Sequence, residues 1–152
     1  MIRLTKFSDY GIVLLTHFAS RPAYISHNAP DLASDTGLPL PMVSKVLKAL
    51  AREGLLLSHR GVKGGYSLAK APAQITVRDI IRALEGPIAI TECIEHDSPE
   101  CNIEGLCPVR SNWNIINQAV EHALDGITLE NMAQPLAETA FVKLGAGFRT
   151  SP

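Results

Sequence analysis

The chain has 152 residues, 46% of them hydrophobic and 19% charged, which is enough apolar mass for one domain core and too much for a wholly disordered chain. The net charge of −1 hides an asymmetry: residues 1–70 hold nine Lys and Arg against four Asp and Glu, whereas residues 71–152 hold five against eleven. A basic first half is the electrostatic footprint of nucleic-acid binding, although clustering on solvated faces gives the same count. No apolar run approaches the roughly 20 residues of a membrane-spanning helix. Ser8, Asp9 and Tyr10 interrupt any signal-like stretch, so the reading expects a cytoplasmic protein with no membrane partner.

In chain order, Phe7, Gly11, Leu14, Leu15 and Phe18 recur at helical spacing and predict a helix from about Leu4 to Ala19, closed by Pro22. A polar connector runs from Arg21 to Asn28. A short helix spans about Pro30 to Thr36, with Pro30 in its first turn and Gly37 at its end. The next helix runs from about Pro41 to Glu53 and stops at Gly54. Val43, Val46, Leu47 and Leu50 form its apolar stripe, with Met42 near the edge. Ser44, Lys45, Lys48 and Arg52 form a polar, basic stripe. An inward apolar face with an outward basic face suits a major-groove helix, and the two short helices joined at Gly37 have helix-turn-helix proportions. A solvated amphipathic helix shows the same periodicity.

Two strand-like runs, Leu55 to Arg60 and Tyr66 to Ala69, flank a loop holding Gly61, Lys63, Gly64 and Gly65. They predict a hairpin or wing, whose glycines let the backbone approach a ligand and whose Arg60 suits a narrow minor groove or a phosphate. A phosphate-cradling nucleotide loop fits less well, because the Lys-Ser/Thr ending is missing and a strand follows instead of a helix. Thr76 opens a helix with a capping-box arrangement to Asp79 and an Ile75–Ile80 staple, ending near Glu85 and Gly86. Residues from Pro87 to Pro108 read as irregular. A long helix from about Val109 to Asp125 carries a seam of Val109, Trp113, Ile116, Val120, Ala123 and Ile127 in steps of four and three, which calls for a partner helix or the chain's own core. Ile127-Thr128-Leu129 repeats the staple-and-cap pattern before a short closing helix.

The resulting fold class is mainly α with a small β-hairpin wing: a winged helix-turn-helix DNA-binding domain over 1–85, a cysteine-bearing loop over 86–108, a dimerisation helix and short closing helix over 109–133, and a flexible tail over 134–152. Cys93, Cys101 and Cys107 are the only cysteines and follow C-x7-C-x5-C. An odd, clustered set points to a metal or redox site rather than a disulfide framework.

Arg3-Leu4-Thr5-Lys6 at the start, Leu50 through Gly54-Leu55, Arg60-Gly61 with Gly64-Gly65-Tyr66-Ser67-Leu68, and the three-cysteine loop are similar to the Rrf-two-type family of dimeric winged-helix regulators, the group that includes IscR, NsrR and the SUF-system regulators. The resemblance spans about residues 1–133. It implies a homodimer on a pseudo-palindromic double-stranded DNA operator, with no small-molecule substrate. Repression of iron–sulfur assembly genes follows from the same resemblance. Ser44, Lys45, Lys48, Arg60, Lys63, Gly64, Gly65 and Tyr66 then form the DNA-binding surface. It further implies an iron–sulfur cluster on Cys93, Cys101 and Cys107, with [2Fe-2S] favoured over [4Fe-4S]; thiolates are the soft ligands such clusters require.

The first cysteine gap is longer here than in better-known members. Arg110 also stands where IscR-like members carry a ligating His, and a cationic guanidinium cannot ligate iron. NsrR-like members supply an Asp from the first helix of the other subunit, and Asp9 occupies that position, although a first-turn carboxylate is equally an ordinary helix-surface group. Glu95, His96, Glu100 and Glu104 are further donors in the loop. A zinc or thiol switch on the same scaffold is the alternative sensor. No nucleophile–base pair points to an enzyme, since His17, His27, His59 and His122 are scattered.

Overall fold

The structure, a computed structural model, describes residues 3–22, 25–94 and 107–134. Helix α1 (Lys6–Ala19) starts two residues later than its periodicity suggests, because Thr5 is the N-cap and its hydroxyl accepts from the Ser8 amide at 3.3 Å. Helices α2 (Ala29–Thr36) and α3 (Leu40–Arg52) follow, separated by Gly37 in the left-handed region at φ 71°. Gly54, at φ 77°, turns the chain out of α3. The apolar stripe of α3 is fully buried at Val43, Val46, Leu47 and Leu50. Burial stabilises by about 2 kcal/mol per such side chain, well beyond the tenths that helix propensity supplies.

Strands β1 (Leu56–His59) and β2 (Gly65–Leu68) pair antiparallel, from Leu56 opposite Leu68 to His59 opposite Gly65. This is the expected hairpin. The expected polar connector also supplies a bridge residue: the His27 and Tyr66 backbones exchange two hydrogen bonds of 2.9 Å, adding a third, one-residue edge to the wing. One paired residue has no alternation to read, so sequence pattern alone does not reveal it.

Helix α4 (Val77–Glu85) begins with the predicted capping box, Thr76 Oγ1 accepting from Asp79 N and Asp79 Oδ2 from Thr76 N, both at 3.1 Å. Ile75 and Ile80 are both fully buried in the core. A 3-10 turn at Glu92–Ile94 packs on α5 (Arg110–Asp125), and α6 (Leu129–Ala133) closes the described chain behind a second capping box, Thr128 with Asn131. The chain then returns to its own start. Thr76 and Thr128 form a β-bridge, Val77 N donates to Ile127 O at 2.8 Å, and Leu129 N donates to Ile75 O at 2.7 Å. Leu129 is fully buried in the same cluster as Leu14, Leu15 and Leu32. The winged-helix core therefore extends beyond residue 85 to include α6.

Apart from residue 134, the tail is outside the described residues, as are Cys101, Glu95, His96, Glu100 and Glu104. Among the described residues, no helix is long and apolar enough to cross a membrane.

Candidate DNA interface and cysteine segment

The outer face of α3 presents Lys45 and Lys48 to solvent, with Ser44 half-buried beside them. Lys45 Nζ lies 5.5 Å from the centre of the Phe7 ring on α1, a cation–π contact that steadies the side chain without neutralising it. Arg60 and Lys63 are exposed in the five-residue loop between the wing strands. Among the described residues, no carboxylate lies within 4.0 Å of the charged groups of Lys45, Lys48, Arg60 or Lys63, whereas Arg21 pairs with Asp35 and Arg52 with Glu53. Four cations are thus left without a carboxylate partner among the described residues on α3 and the wing.

The wing is shaped from within. Gly64 N donates to Gly61 O at 2.9 Å, and Ser26 Oγ donates to Lys63 O at 3.2 Å, fixing the loop against the connector. A Cβ on Gly64 would stand 2.6 Å from His59 O, and one on Gly65 would stand 2.6 Å from His27 O. The two glycines read from sequence as places for a ligand to approach are thus required by the chain's own backbone. Tyr66 is half-buried against the core. The His59 ring Nε2 lies 2.7 Å from Ser67 Oγ, joining the two strands.

His27, behind the wing, is 7% exposed and packs edge-on to Phe18 and His17, with ring centres 5.1 and 5.7 Å away. Burial, helped by the nearby charges of His17 and Arg21, holds its imidazole below the ordinary 6.5, with Asp35 and Asp31 opposing only in part. Glu85 accepts from the Thr5 amide and hydroxyl, both at 2.9 Å. Burial pushes its carboxyl up, but the surrounding donors, the two Thr5 groups among them, outweigh this and hold it below its ordinary value.

Of the proposed sensor thiols, position 93 lies in the 3-10 turn packed on α5, and Cys107, half-buried, stands three residues before Arg110 at the start of the same helix. The backbone at position 93 and Cys107 thus both adjoin α5, and the three cysteines of the sequence make a soft thiolate donor set. That donor chemistry fits an iron–sulfur cluster. Asp9 is exposed on the first turn of α1.

The residue that sequence reasoning passed over is Asn117. It is 4% exposed and is the buried residue of α5. Its Oδ1 accepts from Ile90 N at 3.0 Å, while Nδ2 donates to Ile88 O at 2.9 Å and to Glu121 Oε1 at 3.1 Å. Glu121 Oε2 in turn lies 3.0 Å from Arg78 Nη2 on α4, and Asp125 lies 3.6 Å from Arg78 Nη1. An Asn between Ile116 and Val120 on an amphipathic helix carries no signal that distinguishes it from a solvated one. Large apolar side chains at α5 are left in solvent: Val109 at its N-cap, Ile115 and Ile116 are 46, 66 and 43% exposed.

The sequence signature of Rrf2, described as an iron-dependent transcriptional regulator, matches residues 4–135. The chain belongs to the Rrf2 family. The HTH-type transcriptional regulator CymR of Bacillus subtilis (strain 168) is 33% identical over 132 residues, covering 87% of this chain and 90% of CymR. The solved structure of B. subtilis CymR, described as the global cysteine regulator, superposes with a TM-score of 0.69 at 32% identity, over 88% of this chain and 97% of the other. IscR of T. potens superposes with a TM-score of 0.65 at 27% identity, over 92% and 96%. This Rrf2 chain is accordingly a winged-helix transcriptional regulator that binds DNA, and its relatives are regulators, not enzymes.

Proposed function

We propose that this Rrf2 protein is a homodimeric repressor whose grip on a pseudo-palindromic operator depends on a cysteine-held iron–sulfur cluster, and that it acts in the cytoplasm on iron–sulfur assembly genes. The uncompensated Lys45, Lys48, Arg60 and Lys63 carry the DNA part of this reading. Lys45 and Lys48 neutralise backbone phosphates while Ser44 reaches a base edge in the major groove; Arg60 and Lys63 engage the adjoining minor groove or its phosphates. The wing backbone through Gly64, Gly65 and Tyr66 holds the two cations in place. The exposed Val109, Ile115 and Ile116 support a second copy on α5.

Cys93, Cys101 and Cys107 would hold the cluster, with [2Fe-2S] favoured over [4Fe-4S] and Asp9 of the partner subunit as the fourth ligand. When bound, it supplies a redox- and ligand-sensitive centre whose loss frees three thiols. Asp9 would thereby join the sensor of one copy to the first helix of the other.

A second reading is favoured by the likeness to CymR, a cysteine regulator: the same thiols act as a cluster-free redox or zinc switch. Anaerobic purification with a visible spectrum and assays for iron, sulfide and zinc separates the two. Red-brown protein with iron and sulfide, bleached or spectrally shifted in Asp9→Ala, is the expected result. Colourless protein that stays so after anaerobic reconstitution overturns the cluster and leaves the thiol or zinc reading.

A further inference from the structure

Asn117 is a buried polar residue on a helix that is otherwise largely exposed, and it makes three hydrogen bonds to groups from two directions. Two reach the backbone of the segment between α4 and the turn containing position 93; the third reaches Glu121, which ion-pairs with Arg78 of α4. Breaking a buried bond of this kind costs more than the bond returns when made, because the stranded amide and carbonyl lose water as well as partner. The Asn117 clamp therefore favours one placement of residues 88–90 over its neighbours.

We infer that Asn117 is the positioning residue that transmits the state of the cysteine segment to the DNA-binding unit. The contiguous contacts are the turn at Glu92–Ile94, the Ile88 and Ile90 backbone, Asn117, Glu121, and Arg78 on α4. Helix α4 packs directly on α3, which reads DNA in the function proposed above. With the clamp closed, a change at position 93 pulls on α4; with it open, the segment moves without shifting α3. The inference rests on the sensing function proposed above and adds the residue by which sensing reaches the DNA.

The test uses the full-length chain and a duplex that the wild type selects from a random-sequence pool. Affinity is measured by fluorescence anisotropy in paired sensor states: reconstituted anaerobically with iron and sulfide against chelator-stripped, and dithiothreitol-reduced against peroxide-treated. In whichever pair moves the wild type, a change of about tenfold is expected. Asn117→Leu, close in volume but unable to hydrogen-bond, is expected to shrink that ratio below about threefold while leaving non-specific binding to random duplex unchanged. Amide exchange at Ile90 should differ between sensor states in the wild type and not in the variant.

Asn117→Ser, which keeps one small hydrogen-bonding group, provides the test if the Leu variant fails to fold, and an intermediate ratio is expected. A wild-type ratio in either folded variant overturns the inference. So does loss of DNA binding in both states alike, which marks a purely structural role. A wild type whose affinity moves in neither pair overturns the sensing function itself, and this inference with it.

Discussion

At the scale of single residues, the charges proposed to meet DNA stand apart from the groups that hold the core. Arg60 is exposed and lacks a carboxylate partner among the described residues, so removing its side chain takes nothing from the core. Arg60→Ala should leave the thermal midpoint unchanged and lower the slope of log affinity against log salt by about one, measured by anisotropy titration over a salt series. An unchanged slope would place Arg60 away from the phosphates.

His27 behaves in the opposite way, because its ring is inside and its backbone holds Tyr66. Its folded-state proton affinity lies below the ordinary 6.5, so the unfolded chain binds the proton more readily. That contribution to stability is complete above 6.5 and is lost as pH falls from there toward the folded-state value. Urea midpoints taken across this window should fall with pH in the wild type and fall less in His27→Gln. Parallel curves would assign the pH dependence to other groups.

At the scale of elements, the twin helix starts at Thr76 and Thr128 are the least replaceable local device. Each side chain closes a capping box, and the two residues bridge each other. Thr76→Ala and Thr128→Ala should each cost about 1 kcal/mol in urea denaturation. The double variant should cost less than the sum, since fraying at one start already deprives the other of its neighbour; strict additivity would show that the two starts are independent.

The two boxes were not equally easy to foresee in full. Thr76 with Asp79, the stripe on α3 and the glycine stops at Gly37 and Gly54 are local chemistry, so the sequence announces them before any tertiary contact exists. The return of Leu129 to the core, the His27 bridge and the Asn117 clamp pair residues 50 or more, 39 and 27–29 positions apart with no local period to mark them. Gly64 and Gly65 were legible as positions of close approach, but the sequence pointed to a ligand, whereas the His59 and His27 carbonyls are what crowd them. For the cysteines, their clustering suggested a metal or redox site, and the fold adds that position 93 and Cys107 both adjoin α5.

At the scale of the whole molecule, α5 is anchored along one side by Asn117 and Arg78 and leaves Ile115 and Ile116 in solvent. If that face is the dimer contact, Ile116→Asp should convert the protein to a monomer at micromolar concentration in sedimentation velocity. It should also weaken operator binding far more than binding to random duplex, because both half-sites must be held at once. A dimer that survives the substitution would move the interface elsewhere.

The paired starts at Thr76 and Thr128, with Arg78 gripping Glu121 and Asp125, also fix the angle at which α5 leaves the core. The helix is keyed to its hub like a spoke by this bridge and these ion pairs. In the homodimer proposed above, two such hubs joined spoke to spoke would make a caliper whose opening the sensor state sets, with the two α3 helices as its jaws. One extra base pair between half-sites turns the second site by roughly a tenth of a revolution about the duplex axis. In any one sensor state a caliper held at one opening cannot follow that turn, so the spacer of the operator should be as tightly specified as its bases.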